Sequence, residues 1–182
     1  MQTEGYRDTK WHRRPLRCSD TLRAWLTDRG SLTQRLKERC QNVKIEVVRL
    51  SLSQVFTDEL KAIGCAPKKL AMVREVYLYC GDIPVVFAHT IYQARSGRHA
   101  WQSIAGLGNR SLGAALFSNP KVKRQMLHYK KLNPSDKLFQ RAAKRLGTTP
   151  SHLSARRSLF ILQGEPLLVT EVFLPSLEEI KS

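Results

Sequence analysis

The sequence predicts an α+β fold, a single antiparallel β-sheet with helices gathered on one side, and three observations predict it. Two stretches, "REVYLYCGDIPVVFAHTI" from Arg74 and "RSLFILQGEPLLVTEVF" from Arg157, share a loose pattern. In each, an Arg stands seven residues before a Gly, an acidic residue and a Pro follow, and an apolar run comes next. The first copy carries one extra residue between the acid and the Pro. Such punctuation between apolar runs marks two β-hairpins, with turns near Gly81–Pro84 and Gly164–Pro166. A third strand candidate, "VKIEVVRL", is rich in β-branched residues and precedes both. The chain between the hairpins is helical or irregular and does not alternate strand with helix, so a parallel sheet is not indicated.

The elements follow in order. Ser19 or Asp20 can cap "TLRAWLTDRG", in which Leu22, Trp25 and Leu26 form one apolar stripe and Gly30 marks the end. Ser31 with Gln34 resembles a capping box for "LTQRLKERC". After the first strand, residues 56–69, with Gly64 and Pro67, read as a connection. "WQSIAGLGNRSLGAALFSN" reads as a Gly-punctuated loop running into a short apolar turn. Its "GLGNRSLG" has the wrong spacing for a dinucleotide-binding G-x-G-x-x-G, and no strand-like run leads directly into it. "DKLFQRAAKRLG" places Leu138, Ala142 and Leu146 at helical spacing, with Ser135 before it and Gly147 after it.

At 182 residues the chain fits one domain, expected over 19–178 behind a flexible basic segment at 1–18. No run of eighteen apolar residues crosses a membrane and the N-terminus has no apolar signal core, so a cytoplasmic protein is expected. Cys18, Cys40, Cys65 and Cys80 form no C-x-x-C pair and read as free thiols. The formal charge of +16 favours anionic partners. Residues 120–157 hold eleven Lys/Arg against one acid, Asp136, which reads as a solvated face, and there is no aromatic-basic signature for specific nucleic-acid binding.

Three ionisable residues sit on apolar strand faces. Alternation groups Glu171 with Leu167, Val169 and Phe173, and Arg74 with Met72, Val76 and Leu78. Burying either charge alone costs several kcal/mol, so each needs a partner or a polar cavity. One reading pairs Arg74 with Glu171 as a buried ion pair. The other floors a cavity with them, Arg74 for a substrate carboxylate and Glu171 for a hydroxyl or a proton; a planar guanidinium suits a carboxylate because it donates two parallel hydrogen bonds. His89, with Phe87 and Ile91, also reads inward, either as a satisfied core residue or as a functional group.

Six stretches, in order from Trp25 to Pro175, resemble the chorismate–pyruvate lyase family: "WLTDRGSLTQRL", "REVYL", "FAHTI", "LGNRSLGAALF", "ARRSLF" and "LLVTEVFLP". The resemblance implies an antiparallel sheet with helices, enclosing a ligand cavity under helical flaps. It implies removal of pyruvate from chorismate to give 4-hydroxybenzoate for ubiquinone synthesis, with no metal and no organic cofactor. By the same resemblance Arg74 and Glu171 contact the aromatic product and act in catalysis, Leu112 supplies a backbone contact, and the "GSLT" loop supplies another at Leu32. His89 stands where the family motif reads Arg, and Gln93 where it reads Pro. That cation would serve the second carboxylate of chorismate, so substrate binding through His89 would weaken between pH ~6 and ~8; Arg157 is the alternative holder. A monomer is expected, and the rival reading is a non-catalytic effector-binding domain of the same fold.

Overall fold

A computed structural model describes residues 10–94 and 100–180. Its elements are α1 (Asp20–Thr27), α2 (Leu32–Lys37), β1 (Val43–Ser53), α3 (Thr57–Ala62), β2 (Ala71–Cys80), β3 (Ile83–Gln93), α4 (Gln102–Ala105), α5 (Leu112–Ser118), β4 (Lys123–Arg124), β5 (His128–Leu132), α6 (Lys137–Ala142), β6 (Leu153–Leu162) and β7 (Glu165–Phe173). The seven strands form one antiparallel sheet in the order β1-β2-β3-β7-β6-β4, with β5 also pairing with β6. The fold is α+β, as the sequence predicts. Both hairpins form: β2–β3 turns at Gly81 and β6–β7 turns at Gln163 and Gly164, whose positive φ angles of 52° and 79° suit a tight two-residue turn.

The helices divide between the two faces instead of gathering on one. Val76, Leu78, Val86, Ala88 and Phe173 pack with Trp25, Leu26, Leu32 and Leu36 of α1 and α2. On the other face, Tyr77, Phe87 and Val172 pack with Leu138, Phe139 and Ala142 of α6, and Val73, Ile91 and Leu168 pack with Ile63, next to α3. The reason lies in β2 and β3, whose central residues are buried on both faces, so each face needs its own cover.

Ser19 and Ser31 cap α1 and α2 by accepting from the amides of Leu22 and Gln34. Part of the segment expected to be flexible packs on the domain: Trp11 joins the core around α6, and His12 bridges Tyr129. Residues 1–9 lie outside the described residues. Two helices, α3 and α4, and the strands β4 and β5 fall where the sequence suggested connections, loop or solvated face.

The expectation of four free thiols is corrected. Cys40 and Cys80 form a disulfide, their Cα atoms 5.6 Å apart, while Cys18 and Cys65 are free. Forty residues separate the pair, so no local spacing announces it. The juxtaposition comes from strand register: Cys80 lies opposite Val43, three residues after Cys40.

Candidate active site

One face of the sheet floors a cavity that, with the solvent space at its mouth, holds about 590 Å³ free of atoms. The floor comes from Arg74, Val76 and Leu78 of β2, Ala88 and Thr90 of β3, and Val169 and Glu171 of β7. Over it lie Leu32 and Thr33 of α2 and Leu112, Gly113, Leu116 and Phe117 of α5. Leu32 and Leu112 are each the first residue of a helix, so their backbone N–H groups have no intrahelical acceptor. The two helices meet closely: a Cβ on Gly113 would come within 2.8 Å of the Ser31 hydroxyl, so only glycine fits there without displacing that cap.

Strand register sets the charged groups in rows. Arg74 pairs with Thr90, Thr90 with Val169, and Val169 with Ser158. The next row on the same face runs Val76, Ala88, Glu171, Arg156. Arg74 is 3% exposed; its Nη2 donates to the carbonyls of Gly108 (3.0 Å) and Arg110 (3.2 Å), and its Nε and Nη1 make no hydrogen bond among the described residues. Burial lowers its pKa, an effect that the neighbouring Tyr92 partly counters.

Glu171 pairs neither with Arg74 nor with an open cavity alone. Its Oε2 accepts from Nε of Arg156 at 2.6 Å, while its Oε1 makes no hydrogen bond among the described residues. Arg156 is fully buried, and its Nη1 donates to the carbonyls of Trp25, Leu26 and Asp28, tying the cavity-face carboxylate to the C-terminal end of α1. The sequence reading missed this partner, although its signal was present. A two-residue turn at Gln163–Gly164 fixes the register of the hairpin, and that register sets Arg156 opposite Glu171.

Arg124 also lines the cavity. The basic stretch is therefore not wholly a solvated face: Arg124 and Arg156 both turn inward from it.

His89 does not belong to this group. It is 1% exposed and lies on the opposite face, directly across from Glu75. The cause is a β-bulge: Leu78 pairs with Val86 but Tyr79 pairs with Pro84, leaving Val85 as an extra residue that reverses the alternation beyond it. Its Nδ1 lies 2.9 Å from Oε1 of Glu75 and its Nε2 3.4 Å from Oε1 of Glu59, and Arg141 donates to the same Glu75 oxygen at 2.8 Å. Burial alone would lower the His89 pKa, but hydrogen bonds and charge from Glu59 and Glu75 outweigh it and raise the value to about 9. Burial likewise pushes Glu75 up, and His89 and Arg141 bring it below the ordinary carboxylate value. The expected titration of His89 between pH 6 and 8 is thus corrected, as is its place beside a substrate carboxylate. Arg157 is engaged elsewhere too, donating to Asp58 at 2.6 Å and stacking over Trp11.

The profile of the family described as "Chorismate lyase" matches residues 9–179. The chain belongs to the chorismate lyase family. It is 50% identical over 171 residues to a probable chorismate pyruvate-lyase of Nitrosospira multiformis, covering 93% of this chain and 95% of that one. It is 47% identical over 170 residues to a protein of the same name from Nitrosomonas europaea, covering 93% and 96%. Among solved structures it resembles the effector domain of PhnF from Mycobacterium smegmatis, with a TM-score of 0.56 and 16% identity over 90% of this chain and 93% of that one. The structure of PhnF from the same organism gives a TM-score of 0.59 at 15% identity, over 82% of this chain and 66% of that one. At such identities these likenesses show a shared fold. No helix among the described residues is long and apolar enough to cross a membrane.

Proposed function

We propose that the protein is a chorismate pyruvate-lyase, converting chorismate to 4-hydroxybenzoate and pyruvate, in the cytoplasm and as a monomer, in support of ubiquinone synthesis. One observation carries the reading beyond family membership. In a largely apolar cavity, a buried arginine with unused donors and a carboxylate with an unused oxygen stand on neighbouring rows of one sheet face.

The reaction needs little covalent help. Breaking the enolpyruvyl ether sends its electron pair to the departing oxygen, and the neighbouring ring carbon, which bears the hydroxyl, loses its proton. The ring becomes aromatic, and the enolate takes a proton on its methylene carbon to become pyruvate. One chorismate thus gives one molecule of each product. In this reading Nε and Nη1 of Arg74 hold the ring carboxylate, and the Leu112 and Leu32 amides add backbone contacts. Oε1 of Glu171 accepts the ring hydroxyl or the departing proton, while Arg156 fixes the carboxylate's direction. Orientation and preorganised charge supply the acceleration, and no side-chain nucleophile takes part.

Incubating the pure protein with chorismate tests this. Equimolar 4-hydroxybenzoate and pyruvate should appear. Chorismate that binds and is recovered unchanged would instead indicate an effector-binding domain.

A further inference from the structure

Arg124 is a second cation at the cavity, and among the described residues no carboxylate forms an ion pair with it. It extends from β4 across the edge of the sheet, its Nε donating to the Ser158 hydroxyl at 2.9 Å and its Nη1 to the Arg29 carbonyl at 2.7 Å. The guanidinium lies 5.4 Å from the Phe117 ring centroid and 5.3 Å from that of Phe160, which fixes its plane. Its Nη2 makes no hydrogen bond among the described residues. Ser158 belongs to the same row as Arg74, three strands away, so Thr90 and Val169 lie between the two cations. Three strand spacings of about 4.8 Å separate the ends of that row by roughly 14 Å, and the arginine side chains shorten the span that a ligand must bridge.

The balance of charge points the same way. Among the described residues, Arg74, Arg124 and Glu171 are the charged residues lining the cavity, and Glu171 is already paired with Arg156. Two positive charges are left over in a site lined mainly by apolar groups. Burial lowers the pKa of both arginines, although Glu171 and Asp28 partly offset this for Arg124. Arg74 is buried and Arg124 half-buried, so holding both guanidiniums away from bulk water without a counter-charge is costly, and a ligand with a carboxylate at each end offsets that cost.

We propose that Arg124 binds the second carboxylate of the substrate, the one on the enolpyruvyl group. This assignment rests on the lyase reading above and gives to Arg124 the role that the sequence suggested for His89. The carboxylate it holds leaves with pyruvate, so Arg124 also stabilises the charge that develops on the enolate as the ether breaks. The ring carboxylate stays with Arg74. The site therefore separates into a half that sees both substrate and aromatic product and a half that sees the substrate alone.

That division gives the test. Turnover of chorismate and the dissociation constant of 4-hydroxybenzoate, which has only the ring carboxylate, are measured for the wild type, Arg124→Gln and Arg124→Lys. Arg124→Gln should lower kcat/KM for chorismate by about 100-fold while changing 4-hydroxybenzoate affinity by less than about 3-fold, with Arg124→Lys between the two. Equal loss for both ligands, or unchanged turnover, overturns the proposal. If Arg124→Gln does not fold, Arg124→Lys decides: KM for chorismate should rise about 10-fold at constant product affinity, and an unchanged KM refutes the assignment. A wild type that binds chorismate without converting it would defeat the lyase reading only. The same comparison, made on chorismate dissociation constants, would still judge Arg124. A wild type that binds neither compound overturns both.

Discussion

Two neighbouring residues on opposite faces of one sheet, Arg74 and Glu75, are buried in opposite ways. On the far face, His89, Glu75, Glu59 and Arg141 neutralise one another, with opposite charges 2.8–3.4 Å apart. On the cavity face, Arg74 is as deeply buried, yet among the described residues it hydrogen-bonds only to backbone carbonyls and keeps donors in reserve. Neighbouring residues of a single strand, Arg74 and Glu75, thus take different parts. A buried charge that its surroundings complete belongs to the fold, whereas one left incomplete awaits a ligand.

Substitutions should separate the faces. The largest effect is expected for Arg74→Ala, which on the proposed reading removes a charge-assisted contact to the ring carboxylate: a loss of roughly 2–5 kcal/mol of binding, or about 30- to several-thousand-fold in kcat/KM. Arg74→Lys should recover part of it, since an ammonium cannot form the fork. Wild-type steady-state kinetics in Arg74→Ala would erase the contrast. On the far face, Glu75→Gln should destabilise the fold by about 3 kcal/mol in urea titrations, because it leaves His89 and Arg141 facing a neutral amide. Its kcat and KM, per folded molecule, should match the wild type.

The pH response sharpens the comparison. The folded pKa of His89, about 9, exceeds the unfolded value near 6.5, so its contribution is complete below pH ~6.5 and is lost as pH rises through about 9. Stability measured across that window should fall by up to roughly 3 kcal/mol from this group. The KM for chorismate should not follow His89 between pH 6 and 8, where its imidazolium stays charged and faces away from the cavity. The smallest effect is expected at Gly113→Ala, where the new methyl displaces the Ser31 hydroxyl from its helix cap. A loss of about 1 kcal/mol in the melt, with a modest rise in KM as α2 and α5 separate, would fit.

Much of this arrangement was legible in the residues. The turns at Gly81 and Gly164 announced the hairpins, and alternation put Arg74 and Glu171 on faces that turn out to be one shared face. His89 was misread because β3 carries a bulge at Val85, which no residue pattern announces and which reverses the faces beyond it. Arg156 was readable from the hairpin register, yet a basic run disguised it as surface. Arg124 was not readable in the same way, since β4 is two residues long and reaches the cavity only through its pairing with Phe160 and Ile161. The Cys40–Cys80 link depends on tertiary register alone.

The contrast between the faces is tested most directly by the rise in melting temperature that 4-hydroxybenzoate produces, compared in Arg74→Ala and Glu75→Gln. A ligand that binds only the folded state stabilises it by RT ln(1 + [L]/Kd) and raises the melting point accordingly, so one scan reports stability and the site together. Glu75→Gln should start lower than the wild type and show the full ligand-induced rise. Arg74→Ala should start near the wild type and show almost none. The reverse pattern, a destabilised Arg74→Ala that still responds to the ligand and a stable Glu75→Gln that does not, would contradict the account.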